Sequence, residues 1–304
     1  MAATPAERRL AEIGVLAVMV IWAGNFVVVK GALQELPPVG FTTIRFLVAA
    51  AALLLVCRLR EGSVSLPRRD VLPLAALGAI GFGIYQPLWT IGLAQTTAGD
   101  SALLLAATPI FTLLIAAAIG SDVLTPSRLI GALVAFAGVG VVVLAGAGGA
   151  LGGRLVGNVI TLIAAACWAV YVAFGASVLR RHSPLRTMAW AVLFGSLVML
   201  PLGAWQLAGT DPGLITIASP LAILYSGLGS IALGNVLQFR GVRAIGPART
   251  TNLQFLVPAL TVVLAAVLLH EQIRLEQLLG GAVIVLGILV ARGTFAVPAV
   301  ARRG

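Results

Sequence analysis

Apolar residues run through this chain in long unbroken stretches, such as Ile13 to Val29, cut at intervals by short segments holding arginine, glycine or proline. Alternating segments of about ten residues, which would mark a β-barrel, are missing from this pattern. Runs of about 20 apolar residues match the hydrocarbon thickness of a bilayer. Bounding each run at charge, Gly or Pro predicts helices over 10–30, 38–58, 71–94, 98–119, 126–145, 154–180, 184–208, 215–241, 247–270 and 275–292. The expected fold class is therefore all-α integral membrane, with ten transmembrane helices and no extramembrane domain.

Composition agrees with the pattern. Of 304 residues, 60% are hydrophobic and 10% charged, with mean hydropathy +1.07, whereas a soluble domain carries about 25% charged residues. The net charge of +10 would suggest nucleic acid as the partner of a soluble protein, but here the basic residues mark segment ends. No nucleic-acid partner is expected, and membrane lipid is. With the N-terminus inside, Arg8, Arg9, Arg58, Arg60, Arg68, Arg69, Arg128, Arg180, Arg181, Arg186, Arg240, Arg243, Arg249, Arg292, Arg302 and Arg303 fall on one side. Only Lys30, Arg154 and Arg274 fall on the other. Cytoplasmic loops hold the excess of Lys and Arg, so both termini are expected in the cytoplasm, in a multi-pass plasma (inner) membrane protein. The first run exceeds a typical signal-peptide core, and Ile21 to Asn25 offers no cleavage pattern, so it reads as a retained helix. Cys57 and Cys167 read as buried thiols without a disulfide.

The chain also resembles itself. At one constant offset Gly78 aligns with Gly227, Leu104 with Leu253, Pro109 with Pro258, Gly131 with Gly280 and Gly138 with Gly287. At a slightly smaller offset Trp22-Ala23 aligns with Trp168-Ala169 and Pro38 with Pro184. The sequence thus reads as two five-helix repeats, 1–146 and 147–304, joined through the Gly-rich stretch from Gly146 to Gly153. Because five is odd, the second copy must enter the membrane from the opposite side. Inverted repeats of this kind recur in secondary transporters, which bind substrate near the midplane and alternate access by rocking one half against the other.

The residues that carry a family resemblance are Trp22-Ala23-Gly24-Asn25-Phe26, Arg45-Phe46, Thr108-Pro109-Ile110-Phe111, Leu256-Val257-Pro258-Ala259-Leu260, His270-Glu271 and Gly280-Gly281. The chain resembles the drug/metabolite transporter superfamily with two EamA-type repeats over nearly its whole length. Within it the chain is most similar to the YddG-type exporters of aromatic and other neutral amino acids. The first copy departs from the pattern with Ser121-Asp122 where the second has Glu271. The resemblance implies ten helices, cytoplasmic termini and efflux of small metabolites.

Polar groups inside a bilayer are costly and usually face a bundle interior or a cavity. Trp22 and Asn25 share a face of the first helix, and Trp168 and Tyr171 are their equivalents in the sixth. Tyr85, Gln86 and Trp89 lie together on the third helix, and Asn235 and Gln238 are the equivalents of Gln86 and Trp89 in the eighth. With Gln254 these residues form the expected substrate-binding set; Asn252 and Thr108 rank behind them. The competing reading makes the aromatics an interfacial belt and the amides interhelical glue worth about 0.6–2 kcal/mol. Arg45 is the one basic residue well inside an apolar run. It could snorkel, pair with a freed carbonyl or meet a substrate carboxylate; with Ala191 as its equivalent, anchoring is the favoured reading. Pro109 and Pro258, paired across the repeats, and Pro87 mark interruptions that point to a binding region or to static kinks. Glycines at Gly78, Gly81, Gly83, Gly138, Gly140, Gly227 and Gly229 read as packing seams.

Neither an enzyme nor tight ion coupling is written here. His182 and His270 fall on opposite sides of the membrane, and no metal-ligand cluster, cofactor motif or nucleophile–base pair is visible. No acidic residue lies near the middle of a helix, where coupled pumps keep one. The expected substrate is a small neutral or zwitterionic molecule, carried by a chain that works as a monomer. Export of a purine nucleoside or cationic compound, or a channel, are the alternatives.

Overall fold

The computed structural model describes residues 5–120, 124–145, 152–179 and 182–292. Ser121 and Asp122, most of the Gly-rich junction, Arg180, Arg181, Arg302 and Arg303 lie outside the described residues.

The helices are α1 (Pro5–Ala32), α2 (Pro38–Glu61), α3 (Arg68–Ala94), α4 (Ala98–Ala118), α5 (Pro126–Ala145), α6 (Gly152–Leu179), α7 (Pro184–Ala208), α8 (Ala218–Ile245), α9 (Pro247–Leu253 continued by Leu256–Leu268) and α10 (Leu275–Ala291). Among the described residues α1 to α9 are long and apolar enough to cross a membrane, and α10 is a shorter apolar helix. The chain is a multi-pass membrane protein. Apolar runs fixed the helices to within a few residues. The start of α1 lies five residues earlier than expected, and α8 starts three residues late, where Asp211 accepts the Gly213 N–H at 2.9 Å and folds Pro212–Leu214 into a 3-10 turn first.

Short connections alternate between two ends of the bundle. One end carries Arg58, Arg60, Arg68, Arg69, Arg240 and Arg243, and is called the arginine-rich end here. The opposite end carries Lys30, Glu35, Asp211, Glu271 and Arg274 and is called the far end.

Four helices are interrupted, in matched pairs. In α3 the residues Ala79–Ile84 are wound as a π-helix, and in α8 so are Tyr225–Leu233. The α-helical winding of α4 breaks at Ala106 and Ala107, and that of α9 at Gln254 and Phe255. Proline explains the second pair: Pro109 and Pro258 donate no N–H, so the carbonyls one turn earlier lose their helical partner. The Leu105 carbonyl instead accepts the Thr108 hydroxyl at 2.7 Å, and the Gln254 carbonyl accepts the Val257 N–H at 3.0 Å.

Glycines bring the helices into backbone contact, and the contacts repeat across the two halves. A methyl group at Gly131 of α5 would sit 2.5 Å from the Gly287 carbonyl of α10, and one at Gly138 would sit 2.7 Å from the Gly280 carbonyl. These are repeat equivalents meeting crosswise. Likewise a methyl at Gly78 would lie 2.4 Å from the Ala191 carbonyl, and one at its equivalent Gly227 would lie 2.7 Å from the Arg45 carbonyl. So α3 packs on α7, and α8 on α2, through the same contact, and each half lends helices to the other.

Candidate substrate cavity

Two adjoining cavities occupy the middle of the bundle, where the four interrupted helices meet α1 and α6. The larger, about 540 Å³, extends toward the arginine-rich end, where Thr112, Thr251 and Arg292 line it. The smaller, about 240 Å³, reaches between α2, α3 and α8. Trp22, Phe26, Tyr85, Leu105, Trp168 and Val257 line both and so form the neck between them.

The neck is aromatic and its rings are fixed. Trp168 stacks on Tyr171 with centroids 4.7 Å apart and leans on Tyr85 at 5.1 Å, and Phe82 stands edge-on to Trp168 and Tyr171. Across from them the Trp22 indole donates to the Ser230 carbonyl at 3.1 Å, within the π-wound part of α8. Trp22 lies against Gly234, the equivalent of Tyr85: a methyl there would be 2.8 Å from the Trp22 ring nitrogen. One half therefore fills with a phenol the place that the other leaves open for an indole.

Against the smaller cavity lies Arg45, only 1% exposed. Its two terminal nitrogens donate to Ser226 Oγ and Gln86 Oε1, both at 2.7 Å. Its guanidinium carbon lies 5.1 Å from the ring centroids of Phe46 and Trp89 and 5.5 Å from that of Phe41. Among the described residues no carboxylate pairs with it, and its Nε has no partner. Trp89 is oriented by donating to Ser101 Oγ at 3.2 Å and by standing edge-on to Phe26. Asn25, 7% exposed on the same cavity, has no donor for its Oδ1. Asn235 donates to the Ile231 carbonyl at 2.6 Å.

The far end is tied by charges. Lys30 donates to the Leu93, Ala94 and Thr96 carbonyls at 2.6–3.0 Å, holding the end of α1 to the end of α3. Glu271, just after α9, accepts the Ala98 and Gly99 N–H groups at the start of α4. Asp100, fully buried, takes Arg274 and Gln277, each at 2.7 Å. Glu35 joins the α1–α2 turn to the start of α8; the Thr216 hydroxyl, its N–H and the Ser219 hydroxyl hold this carboxyl below the ordinary carboxylate range.

The model of the EamA-like transporter family matches twice, at residues 9–144 and 155–293. The chain belongs to the EamA-like transporter family. It is 32% identical, over 90% of its length and 92% of the relative's, to a probable amino-acid metabolite efflux pump of Salmonella typhimurium. It is 30% identical, over 90% of each chain, to a probable terminal-alkyne amino-acid exporter of Streptantibioticus cattleyicolor. A solved crystal structure superposes with TM-score 0.63 at 20% identity, covering 93% of this chain and 96% of the other, and shows the same fold. This EamA-like chain is thus a membrane transporter rather than an enzyme, and among its described residues no His, Cys, Asp and Glu cluster could hold a metal.

Of the residues expected at the site, Trp22, Asn25, Tyr85, Gln86, Trp89, Trp168 and Asn235 surround the smaller cavity, and Gln254 and Thr108 line the larger. Tyr171 and Gln238 do not. Tyr171 stands behind Trp168, its ring filling the space over Gly81, where a methyl would come within 2.2 Å of it. Gln238 is buried where the last part of α8 packs on α1 and α9, and lines neither cavity. Asn252 is turned outward and accepts from Arg292. One further expectation needs correction. Cys167 is half-buried rather than buried. Glu271 caps the start of α4. His182 meets the buried carboxylate of Asp70 at 3.0 Å, a pair no local sequence signal announces. Arg45 neither snorkels nor binds a carbonyl: side chains of α3 and α8 hold it against the cavity.

Proposed function

We propose that this transporter exports small neutral amino acids, aromatic ones among them, across the inner membrane by alternating access between two inverted five-helix halves. The observation that carries the reading is the neck of Trp22, Tyr85 and Trp168 at the meeting point of the interrupted helices. Fixed rings offer faces and edges to an apolar or aromatic side chain, and amides beside them offer hydrogen bonds to a polar head. The names of the two relatives point to amino acids and their metabolites as cargo. The crosswise glycine contacts support an inverted relation of the halves, 1–146 and 147–304, as rocking about one axis requires. The excess of arginine at one end supports cytoplasmic termini. On this orientation the larger cavity opens to the cytoplasm, as it should for loading an exporter, and one chain contains the whole path, so a monomer suffices.

The residues lining both cavities include no carboxylate. This supports transport without tight proton coupling and disfavours cationic cargo, for which Arg45 would be a repelling neighbour. In proteoliposomes holding only this protein, labelled phenylalanine or leucine should show saturable counterflow without an imposed ion gradient. Counterflow of a nucleoside or a cationic dye in place of any amino acid would overturn the reading.

A further inference from the structure

We infer that Arg45 is the carboxylate receptor of the transport site, so that a free carboxylate is an obligatory part of the substrate. The inference rests on the amino-acid reading above and adds the group that is recognised, the residue that recognises it and the orientation it imposes.

An ionised side chain buried in a membrane protein is expensive unless an opposite charge or several strong hydrogen bonds compensate it. Arg45 has no charged partner among the described residues. It has two neutral acceptors, three aromatic rings and one buried N–H without any acceptor. A guanidinium presents its donors in a planar fork that matches a carboxylate bidentately. Here one prong of the fork is occupied by the Gln86 carboxamide oxygen, a neutral stand-in for a carboxylate oxygen on the cavity wall. We place the substrate carboxylate where Gln86 Oε1 now sits, with the Gln86 side chain moving aside.

The remaining polar groups fit the rest of an amino acid. Asn25 Oδ1, buried and without a donor, is an acceptor suited to an ammonium group. The side chain then points away from Arg45 into the neck between Trp22, Tyr85 and Trp168. Arg45 also ties substrate occupancy to the helices that would have to move. It belongs to α2, its carbonyl touches Gly227 in α8, its side chain holds Ser226 in the π-wound part of α8, and it holds Gln86 next to the π-wound part of α3. Replacing a neutral acceptor by a carboxylate strengthens the contact at the joint of these three helices.

The test is competition against phenylalanine counterflow in the wild-type protein, with phenylalaninamide, phenethylamine and 3-phenylpropionate as competitors. Phenylpropionate keeps the carboxylate and should compete; the amide and the amine lack it and should compete at least roughly tenfold more weakly, the loss expected when a charge-assisted hydrogen bond to the guanidinium is not made. Equal competition by phenylalaninamide would overturn the inference while leaving amino-acid transport standing; absence of phenylalanine counterflow would instead remove the proposed function. A second arm uses Gln86→Glu, which supplies Arg45 with an internal carboxylate and adds an ion pair to the fold. That variant should reach the membrane, lose competition by phenylpropionate and lose its preference for phenylalanine over phenylalaninamide. If it retains the wild-type preference, Arg45 is an anchor and not a receptor.

Discussion

Trp168 owes its place to its neighbours: Tyr171 stacks on one face, Tyr85 leans on it and Phe82 meets it edge-on. A ring held on so many sides loses little freedom when substrate arrives, so its contact is available to the substrate almost in full. Replacing Trp168 by Ala should lower flux of aromatic amino acids roughly two- to tenfold more than flux of alanine or valine, the range that aromatic pairing contributes beyond area. Saturable uptake of both classes, normalised to folded protein, reads the difference; equal losses would place the bound ring elsewhere. Trp168 could be picked from the sequence because Trp22 matches it, and Gln86 because Asn235 matches it. Tyr171 was misplaced by the same logic. Its equivalent Asn25 does face the cavity, but a tyrosine ring over Gly81 gains more by filling that groove than by facing an aqueous space. Arg45 has no matched partner in the second half, where Ala191 stands, and symmetry cannot flag a residue that breaks it.

The helices themselves were legible because bilayer thickness sets their length and proline sets two of their breaks. The π-wound parts of α3 and α8 were not, since Ala79–Ile84 and Tyr225–Leu233 read as ordinary apolar helix with glycines. Winding of this kind collects at functional sites, and both stretches border residues of the cavity. The α5–α10 seam yields a sharper expectation. A methyl at Gly131 would lie 2.3 Å from the Ala291 nitrogen, with no flexible atom able to yield, whereas one at Gly140 meets nothing within 4 Å. Gly131→Ala should therefore lower the unfolding temperature in detergent by several degrees, an overpacking cost of roughly 1–3 kcal/mol. Gly140→Ala should hold or raise it, since alanine exceeds glycine in a helix by about 0.5–1 kcal/mol. Equal stability of the two variants would mean that α5 and α10 do not touch there.

Over the whole bundle the two ends are not equivalent. At the far end Asp100 gathers Arg274 and Gln277. The repeat equivalents of Asp100 and Gln277 are Arg249 and Arg128, two cations that cannot rebuild that contact at the arginine-rich end. On the alternating-access reading, opening of the far end would have to break these bonds, each charge-assisted one worth about 1.5–3 kcal/mol. Weakening it by Glu271→Gln together with Asp100→Asn should raise, roughly tenfold, the rate at which a membrane-impermeant thiol reagent added on the far side labels a cysteine at Ala102. The background is a variant with Cys57 and Cys167 replaced. Unchanged labelling would show that these bonds do not gate the path.

This imbalance has a kinetic price. A carrier resting open toward one compartment has its binding-competent form for the other compartment only fractionally populated, and apparent affinity falls by that fraction. The same site would then show a lower KM from the arginine-rich side than from the far side, though its chemistry is identical from both. With no ion gradient spent, however, detailed balance fixes Vmax/KM to one value in the two directions for an uncharged substrate. The side that binds at the lower concentration must also saturate at the lower speed, so net direction would be decided by where the substrate is made.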